Sequence, residues 1–117
     1  MKLIILDRDG VINQDRDDFV KSADEWIPIE GSMDAIAFLT QAGYTVAVAT
    51  NQSGIGRKYF TVQDLTEMHA KMHRLAVQAG GAIDGIWFCP HTAADNCDCR
   101  KPKPGMICDI LERFKAD

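Results

Sequence analysis

The chain contains two short apolar runs that each end abruptly in polar residues, and this pattern restricts the fold more than any other feature. Leu3 to Leu6 is continuous, apolar and branched, which reads as a strand buried on both faces. It stops at Asp7, and a second carboxylate, Asp9, follows two residues later. Residues two apart on an extended chain project to the same side, so Asp7 and Asp9 can share one small space. Gly10 then lets the chain turn. Tyr44 to Thr50 repeats the pattern and gives way to Asn51-Gln52-Ser53-Gly54. Between the runs, Ser32 is the expected N-cap of a helix carrying Met33, Ile36, Ala37, Phe38 and Leu39, with Gly43 as its stop. Strand, helix and strand in this length imply a parallel crossover. Open parallel sheets build their sites at the carboxyl ends of such strands.

Length and charge narrow the class. The 117 residues suit one domain, with 46% hydrophobic and 26% charged residues. A net charge of −4 gives no general attraction to nucleic acid or to an anionic membrane. An anionic substrate therefore needs a local cluster of cations or a metal. No stretch is long and apolar enough to span a bilayer, and the first strand leaves no room for a signal peptide, so a cytoplasmic location is expected.

Val11 to Glu30 reads as a polar, irregular segment, with Asp15, Arg16, Asp17 and Asp18 in a row and a short extended piece at Trp26 to Ile29. It is too short for a separate cap domain. Thr61 and Asp64 have the spacing of a capping box, and Leu65, Met68, Met72, Leu75 and Ala79 hold helical period up to Gly80-Gly81. The methionines read as core filler. His69 and His73 are four apart on this helix but lack the glutamate of a zinc-protease pair and a third ligand, so a solvated face is expected for them. Gly85 to Phe88 reads as a third strand, and Met106, Ile107, Ile110, Leu111 and Phe114 mark a last helix.

The third strand runs into the most specific local signal, Cys89-Pro90-His91 followed by Cys97-Asp98-Cys99. In a cytosolic chain such cysteines argue for metal binding before disulfides. Three thiolates and an imidazole suit a tetrahedral zinc, and four protein ligands leave no open position, so the ion is expected to be structural. Cys108 in place of His91 is an alternative set; otherwise Cys108 reads as a small buried hydrophobe. Arg100-Lys101-Pro102-Lys103-Pro104 then sets three cations in a stiff segment able to meet a phosphate. Thr50 and Asn51 add a hydroxyl and an amide at the second strand end.

The segments DRDGVIN, ATNQSGIGR, CPH with CDC, and RKPKPGM occur in the order found in the histidinol-phosphatase-like branch of the haloacid dehalogenase superfamily, which the chain resembles over its whole length. Within that branch, RKPKPGM is most similar to the heptose bisphosphate phosphatases. The resemblance implies a Rossmann-like parallel sheet with flanking helices, no cap domain, and a zinc loop at residues 89–99 within a single domain of residues 1–117. It implies a magnesium-dependent phosphatase that removes the 7-phosphate of D-glycero-D-manno-heptose 1,7-bisphosphate through an aspartyl phosphate, on the route to ADP-heptose and lipopolysaccharide core. Asp7 would be the nucleophile and Asp9 the general acid and base, the two holding opposite protonation states in the first step. Thr50, or Asn51 beside it, and Lys101 would stabilise the transferring phosphoryl group. Arg8, Asp15, Arg16, Asp17, Asp18, Gln52, Ser53 and Arg100 would contact substrate. Magnesium would bind the Asp7 carboxylate and the Asp9 main-chain carbonyl, and zinc would bind Cys89, His91, Cys97 and Cys99. The implied partner is a small phosphorylated sugar, met by a monomer without nucleic acid or membrane.

The branch also has a further acidic motif after a fourth strand, which supplies the remaining magnesium carboxylate. The sequence stops at Asp117 before any such motif, and neither Asp109 nor Asp117 has its context. The expectation is therefore the N-terminal two-thirds of such an enzyme, with C-terminal strands missing. Two other readings stay open: histidinol-phosphate phosphatase, and a non-catalytic zinc-stabilised binding module. The anomer of the sugar is not legible.

Overall fold

Strand β1 (Lys2–Leu6), strand β2 (Tyr44–Asn51) and strand β3 (Gly85–Cys89) form one parallel sheet in the order β1-β2-β3. These come from a computed structural model that describes residues 2–116; Asp117 lies outside the described residues. Leu6 pairs with Val48, and Asn51 with Cys89, so all three strands run toward the same edge. The central strand β2 is buried as its apolar run requires, with Val46 to Ala49 at most 1% exposed. Leu3 to Leu6 are only half-buried, contrary to burial on both faces. The reason is position: among the described residues β1 pairs with β2 alone.

The alternation of side chains divides the interior into two cores. One face of the sheet carries Leu6, Val48, Ile86 and Phe88. It is covered by helix α1 (Ser32–Gln41), helix α3 (Val62–Gln78) and the segment after β1. Leu65, Met68, Met72 and Ala76 supply the apolar stripe of α3, so the methionines are core residues as their spacing predicts. The other face carries Leu3, Ile5, Ala47, Ala49, Trp87 and Cys89, covered by helix α4 (Gly105–Arg113) through Met106 and Ile110.

The segment from Val11 to Glu30 differs from its expected polar, irregular character. It buries Ile12, Val20 and Trp26 to 3% or less in the larger core. Gln14 N–H donates to the Ile27 carbonyl and Ile29 N–H to the Ile12 carbonyl, so the segment folds back on itself. Lys71 Nζ on α3 bolts it down through the carbonyls of Ala23 (2.8 Å) and Trp26 (2.6 Å). Ser32 does not cap α1: Gly31 holds that position, and Ser32 Oγ instead donates to the Ile12 carbonyl at 2.8 Å. The Thr61–Asp64 capping box is present in full, and Gly43 ends α1 at φ 91°. Phe38 is exposed, because Ile36 and Ala37 occupy the buried side of α1. Cys108 is also exposed, since α4 turns Met106 and Ile110 inward and Cys108 outward. No helix among the described residues is long and apolar enough to cross a membrane.

Candidate active site

The carboxyl ends of β1 and β2 open onto a cavity of about 300 Å³ lined by Asp7, Asp9, Asp15, Arg16, Phe19, Val20, Thr50, Asn51, Gln52 and Lys101. Asp7 and Asp9 reach it together, as two positions on one side of an extended chain should. Gly10, at φ 83°, turns the chain immediately beyond them, and its N–H donates to the Asn13 carbonyl.

Asp7 is the more open of the two carboxylates, its side chain 49% exposed. Its Oδ1 accepts from the Arg8 N–H at 2.8 Å and pairs with Lys101 Nζ at 3.1 Å. Oδ2 accepts no hydrogen bond among the described residues. Lys101 is itself aimed: Nζ also donates to the Ala49 carbonyl at 2.7 Å. Asn51 holds its backbone at both ends, Oδ1 accepting from Lys101 N–H (2.9 Å) and Nδ2 donating to the Lys101 carbonyl (3.2 Å). Asn51 was expected to meet the phosphoryl group directly. Both ends of its amide bond the Lys101 backbone, although Asn51 also lines the cavity.

Asp9 is held from every side. Its Oδ1 accepts from Arg8 Nε (3.0 Å), Arg8 Nη2 (2.6 Å) and Asn13 Nδ2 (2.9 Å), while Oδ2 accepts from Gln52 Nε2 at 2.9 Å. Arg8 was expected on the substrate side. It is fully buried and does not reach the cavity, because residue 8 alternates to the opposite side from residues 7 and 9 and enters the larger core. There its Nη1 meets His69 Nε2 at 3.2 Å and Met68 Sδ at 3.7 Å. His69 therefore differs from the solvated residue expected, whereas His73 is exposed. Burial and the neighbouring Arg8 charge push the His69 pKa down to about 3, so the ring is neutral.

Thr50 and Gln52 are both buried, and Gln52 Nε2 also donates to Thr50 Oγ1 at 2.9 Å. The four residues Asp15 to Asp18 divide: Asp15 and Arg16 line the cavity, while Asp17 and Asp18 line a neighbouring one with Phe19, Lys21 and Tyr59. Hydrogen bonds from Arg16 and Lys21 hold the Asp18 carboxyl below the usual carboxylate range. Ser53 is buried at the start of the short helix α2 (Ser53–Gly56) and does not line the cavity. Arg100 donates to the His91 carbonyl at 3.4 Å and borders an adjacent hollow with Lys103.

At the end of β3, one ligand atom from each of Cys89, His91, Cys97 and Cys99 lies within 4.8 Å of the other three. Zinc with bonds of about 2.3 Å to sulfur and about 2.0 Å to nitrogen sets tetrahedral edges of about 3.8 Å between sulfurs and about 3.5 Å between sulfur and nitrogen. Cys97 Sγ lies 3.4 Å from Cys89 Sγ and 3.6 Å from Cys99 Sγ, and His91 Nδ1 lies 3.6 and 3.5 Å from those same two sulfurs. Cys89 and Cys99 are also close enough to count as a disulfide. A disulfide would account for two of the four groups, whereas a shared ion accounts for all four, so we assign a zinc-type site. Cys108 is not part of the cluster, which removes the alternative ligand set. Lys103 Nζ braces this loop through Asn96 Oδ1 and the Cys97 carbonyl, and Gly105 N–H donates to the Asp98 carbonyl at 3.0 Å. A Cβ on Gly105 would collide with that carbonyl, so the close approach of α4 to the loop requires glycine.

The family model for polynucleotide kinase 3 phosphatase matches residues 2–117. The chain belongs to this family. It sits within the haloacid dehalogenase-like phosphatases, as the motif order implied. The chain is 88% identical over 116 residues to the D-glycero-beta-D-manno-heptose-1,7-bisphosphate 7-phosphatase of Neisseria meningitidis serogroup A, covering 99% of this chain and 62% of that protein. The enzyme of the same description from Bordetella bronchiseptica is 59% identical over 117 residues, covering 100% of this chain and 65% of that protein. A crystal structure of the B. bronchiseptica D,D-heptose 1,7-bisphosphate phosphatase, complexed with magnesium and phosphate, superposes with a TM-score of 0.97 over 100% of this chain and 65% of that one. The chain thus spans somewhat under two-thirds of the length of the Neisseria relative.

Asp7, Asp9 and Lys101 meet at one cavity, as the motifs implied, and two supports behind them were passed over by sequence reasoning. Asn13 is fully buried, with Nδ2 on Asp9 Oδ1 and on the Gln14 carbonyl, and its Oδ1 has no partner among the described residues. No periodic signal marks it, since it lies beyond the glycine turn. His69 was visible only as half of an i, i+4 pair. The alternation that joins Asp7 to Asp9 sends Arg8 the other way, and that signal could have led to its partner on α3.

Proposed function

We propose that the chain forms the nucleophile and acid–base part of a phosphatase that removes the 7-phosphate of D-glycero-β-D-manno-heptose 1,7-bisphosphate. The observation that carries the reading is the Asp7 carboxylate 3.1 Å from Lys101 Nζ, in the same cavity as Asp9. The 88% identity to an enzyme of that description supports the substrate. Asp7 attacks phosphorus through Oδ2, the oxygen without a hydrogen bond, and the bond from phosphorus to the sugar oxygen breaks. Lys101 offsets charge on the phosphoryl oxygens, and the Thr50 hydroxyl, at the cavity wall, can donate to one of them. Asp9 Oδ1 already accepts three N–H groups, so the exchangeable proton belongs on Oδ2. From there it passes to the departing sugar alkoxide. Asp9 then takes a proton from the water that cleaves the aspartyl phosphate, freeing Asp7 and inorganic phosphate. Gln52 beside Oδ2 can turn its amide to donate or accept as this proton leaves and returns.

The hard oxygen donors at the β1 end suit magnesium, and the Asp7 carboxylate and Asp9 carbonyl are the groups that would hold it. Bound there, magnesium relieves repulsion between the nucleophile and the phosphate dianion. On this reading the protein works in the cytoplasm as a monomer on a small phosphorylated sugar.

The test is phosphate release from heptose 1,7-bisphosphate and from histidinol phosphate, each with magnesium and with EDTA. It is run on the 117-residue chain and on the same chain extended by the remaining C-terminal third of the Neisseria relative. Magnesium-dependent release from the heptose substrate is expected. Preference for histidinol phosphate overturns the substrate, and no release from either chain overturns the phosphatase reading. Release by the extended chain alone assigns turnover to residues beyond Asp117.

A further inference from the structure

The hydrogen bonds behind Asp9 form a chain that ends on α3. The Arg8 side chain is fully buried and uses one edge of its planar fork, Nε and Nη2, on Asp9 Oδ1. The remaining nitrogen, Nη1, meets His69 Nε2 at 3.2 Å, with the Met68 thioether at 3.7 Å as its other neighbour. A guanidinium only donates, so His69 Nε2 must present a lone pair and the ring proton must sit on Nδ1. A thioether is a weak acceptor. Without His69, a buried N–H would lack a competent partner.

The fork is rigid, so an acceptor at Nη1 fixes the rotation of the whole guanidinium, including the edge that holds Asp9. We infer that His69 is a positioning residue: by accepting from Arg8 Nη1 it locks the fork that pins Asp9 Oδ1. This leaves Oδ2 as the oxygen that exchanges a proton with the leaving group and with water. Only this last step rests on the phosphatase reading above; the hold on Arg8 does not. Two neighbours on one helix share the work, because Lys71, two residues on, ties the 11–30 segment to the same element. Helix α3 thus registers the acid from behind and the cavity wall from the side.

The test compares His69→Leu, which removes the acceptor, with His69→Gln, whose side-chain oxygen can replace Nε2. Melting temperatures are recorded for both. Turnover is measured on whichever of the two chains above releases phosphate. In addition, the Arg8 Nε–H is followed by ¹H–¹⁵N NMR as a slowly exchanging signal. For His69→Leu, kcat is expected to fall about 10- to 100-fold with KM within about threefold of wild type, a loss typical of a misplaced reacting group. His69→Gln should recover most of this and keep the Arg8 signal, which His69→Leu should lose. An Arg8 signal unchanged in His69→Leu overturns the inference whatever the turnover. So does a loss of kcat that His69→Gln fails to restore, because it would show that only ring volume matters. No turnover by wild type, with the Arg8 signal lost in His69→Leu and kept in His69→Gln, overturns the phosphatase reading and leaves the hold of His69 on Arg8 supported.

Discussion

The two halves of the site are supported in opposite ways. In the anionic half, Asp9 is held from behind by buried side chains, Arg8, Asn13 and Gln52, each at most 3% exposed, while Asp7 accepts only the Arg8 N–H and pairs with Lys101. The cationic half, Lys101, lies between Cys97 and the start of α4 on a segment with no helix or strand of its own. It depends on two hydrogen bonds with Asn51, one donated and one accepted by that amide, on the cysteine loop, and on the smaller core beneath Trp87, Met106 and Ile110. A dense buried network can fix a carboxylate without a metal because each donor has a short, defined reach. A loop whose one regular element is the 3-10 turn Ala93–Asp95 has little such framework, and a four-ligand ion supplies it. Among the described residues the only ion pair between the halves is Asp7 with Lys101.

The largest expected effect comes from cutting that link at Asp7, the proposed nucleophile. Asp7→Asn keeps the shape of the side chain and removes the attacking oxygen. Phosphate release should fall by at least about 10⁴-fold, with no trappable phosphoenzyme and with Arg8 and Asp9 undisturbed. Activity within tenfold of wild type would exclude Asp7 as the nucleophile.

Removing the ion breaks the cationic half alone. Metal analysis should find about one zinc per chain. Chelation or Cys97→Ser should abolish that content and lower the melting temperature by about 10 °C or more. The two tryptophans report the halves separately, since Trp26 lies in the larger core and Trp87 in the smaller. Zinc loss should red-shift the Trp87 emission in a Trp26→Phe background and leave Trp26 emission unchanged in a Trp87→Phe background. A zinc-free protein with an unaltered melting curve would remove the basis for the comparison.

What could be read from the sequence follows the same division. Strand ends, the capping box and the cysteine–histidine spacing were legible because each is a local rule of geometry: period two, period 3.6, or the reach of short ligand pairs. The burial of Ile12, Val20 and Trp26 was not, because an irregular segment has no period and its contacts are made with residues far along the chain. The roles of Arg8 and Cys108 were legible in principle. Arg8 must alternate away from Asp7, and Cys108, two residues past Met106 on a helix, must turn away from the core that Met106 and Ile110 enter. Composition misled in both cases: an arginine between two acids suggests substrate, and a lone cysteine suggests burial. The partial exposure of β1 depends on which strands flank it, which its own residues do not encode.

Acid should strain the anionic half before the cationic one. The His69 pKa is depressed from 6.5 to about 3 in the folded state, so the unfolded chain binds the proton first. The stability this contributes is fully present above pH 6.5 and is lost progressively as pH falls from 6.5 toward 3. The loss by pH 4 is on the order of 3 kcal/mol. Carboxylates such as Asp18 and Glu25, whose pKa values are also lowered, weaken the fold in the same direction at lower pH. The His69 share is therefore the difference between wild type and His69→Gln in denaturant titrations at pH 7 and pH 4. Equal pH slopes for the two proteins would show that the ring is not held neutral by the fold.

The smallest effect tests the clamp where the halves meet. Strand β2 ends by sending Thr50 and Gln52 toward Asp9 and Asn51 toward Lys101, a division that strand alternation imposes. Asn51→Ala removes both hydrogen bonds to the Lys101 backbone at a cost of about 1–3 kcal/mol in local order. Lys101 Nζ keeps its bond to the Ala49 carbonyl, so the cation is loosened and not lost. Phosphate release should fall about tenfold, on the order of 1.4 kcal/mol in the barrier. Zinc content and the Arg8 NMR signal should both stay at wild-type values, because the Asn51 side chain bonds only the Lys101 backbone, and its strand pairing with Cys89 is made by the main chain that Asn51→Ala keeps. A loss of zinc in Asn51→Ala would mean that the clamp and the metal loop are one support, and the cationic half would then stand on a single point.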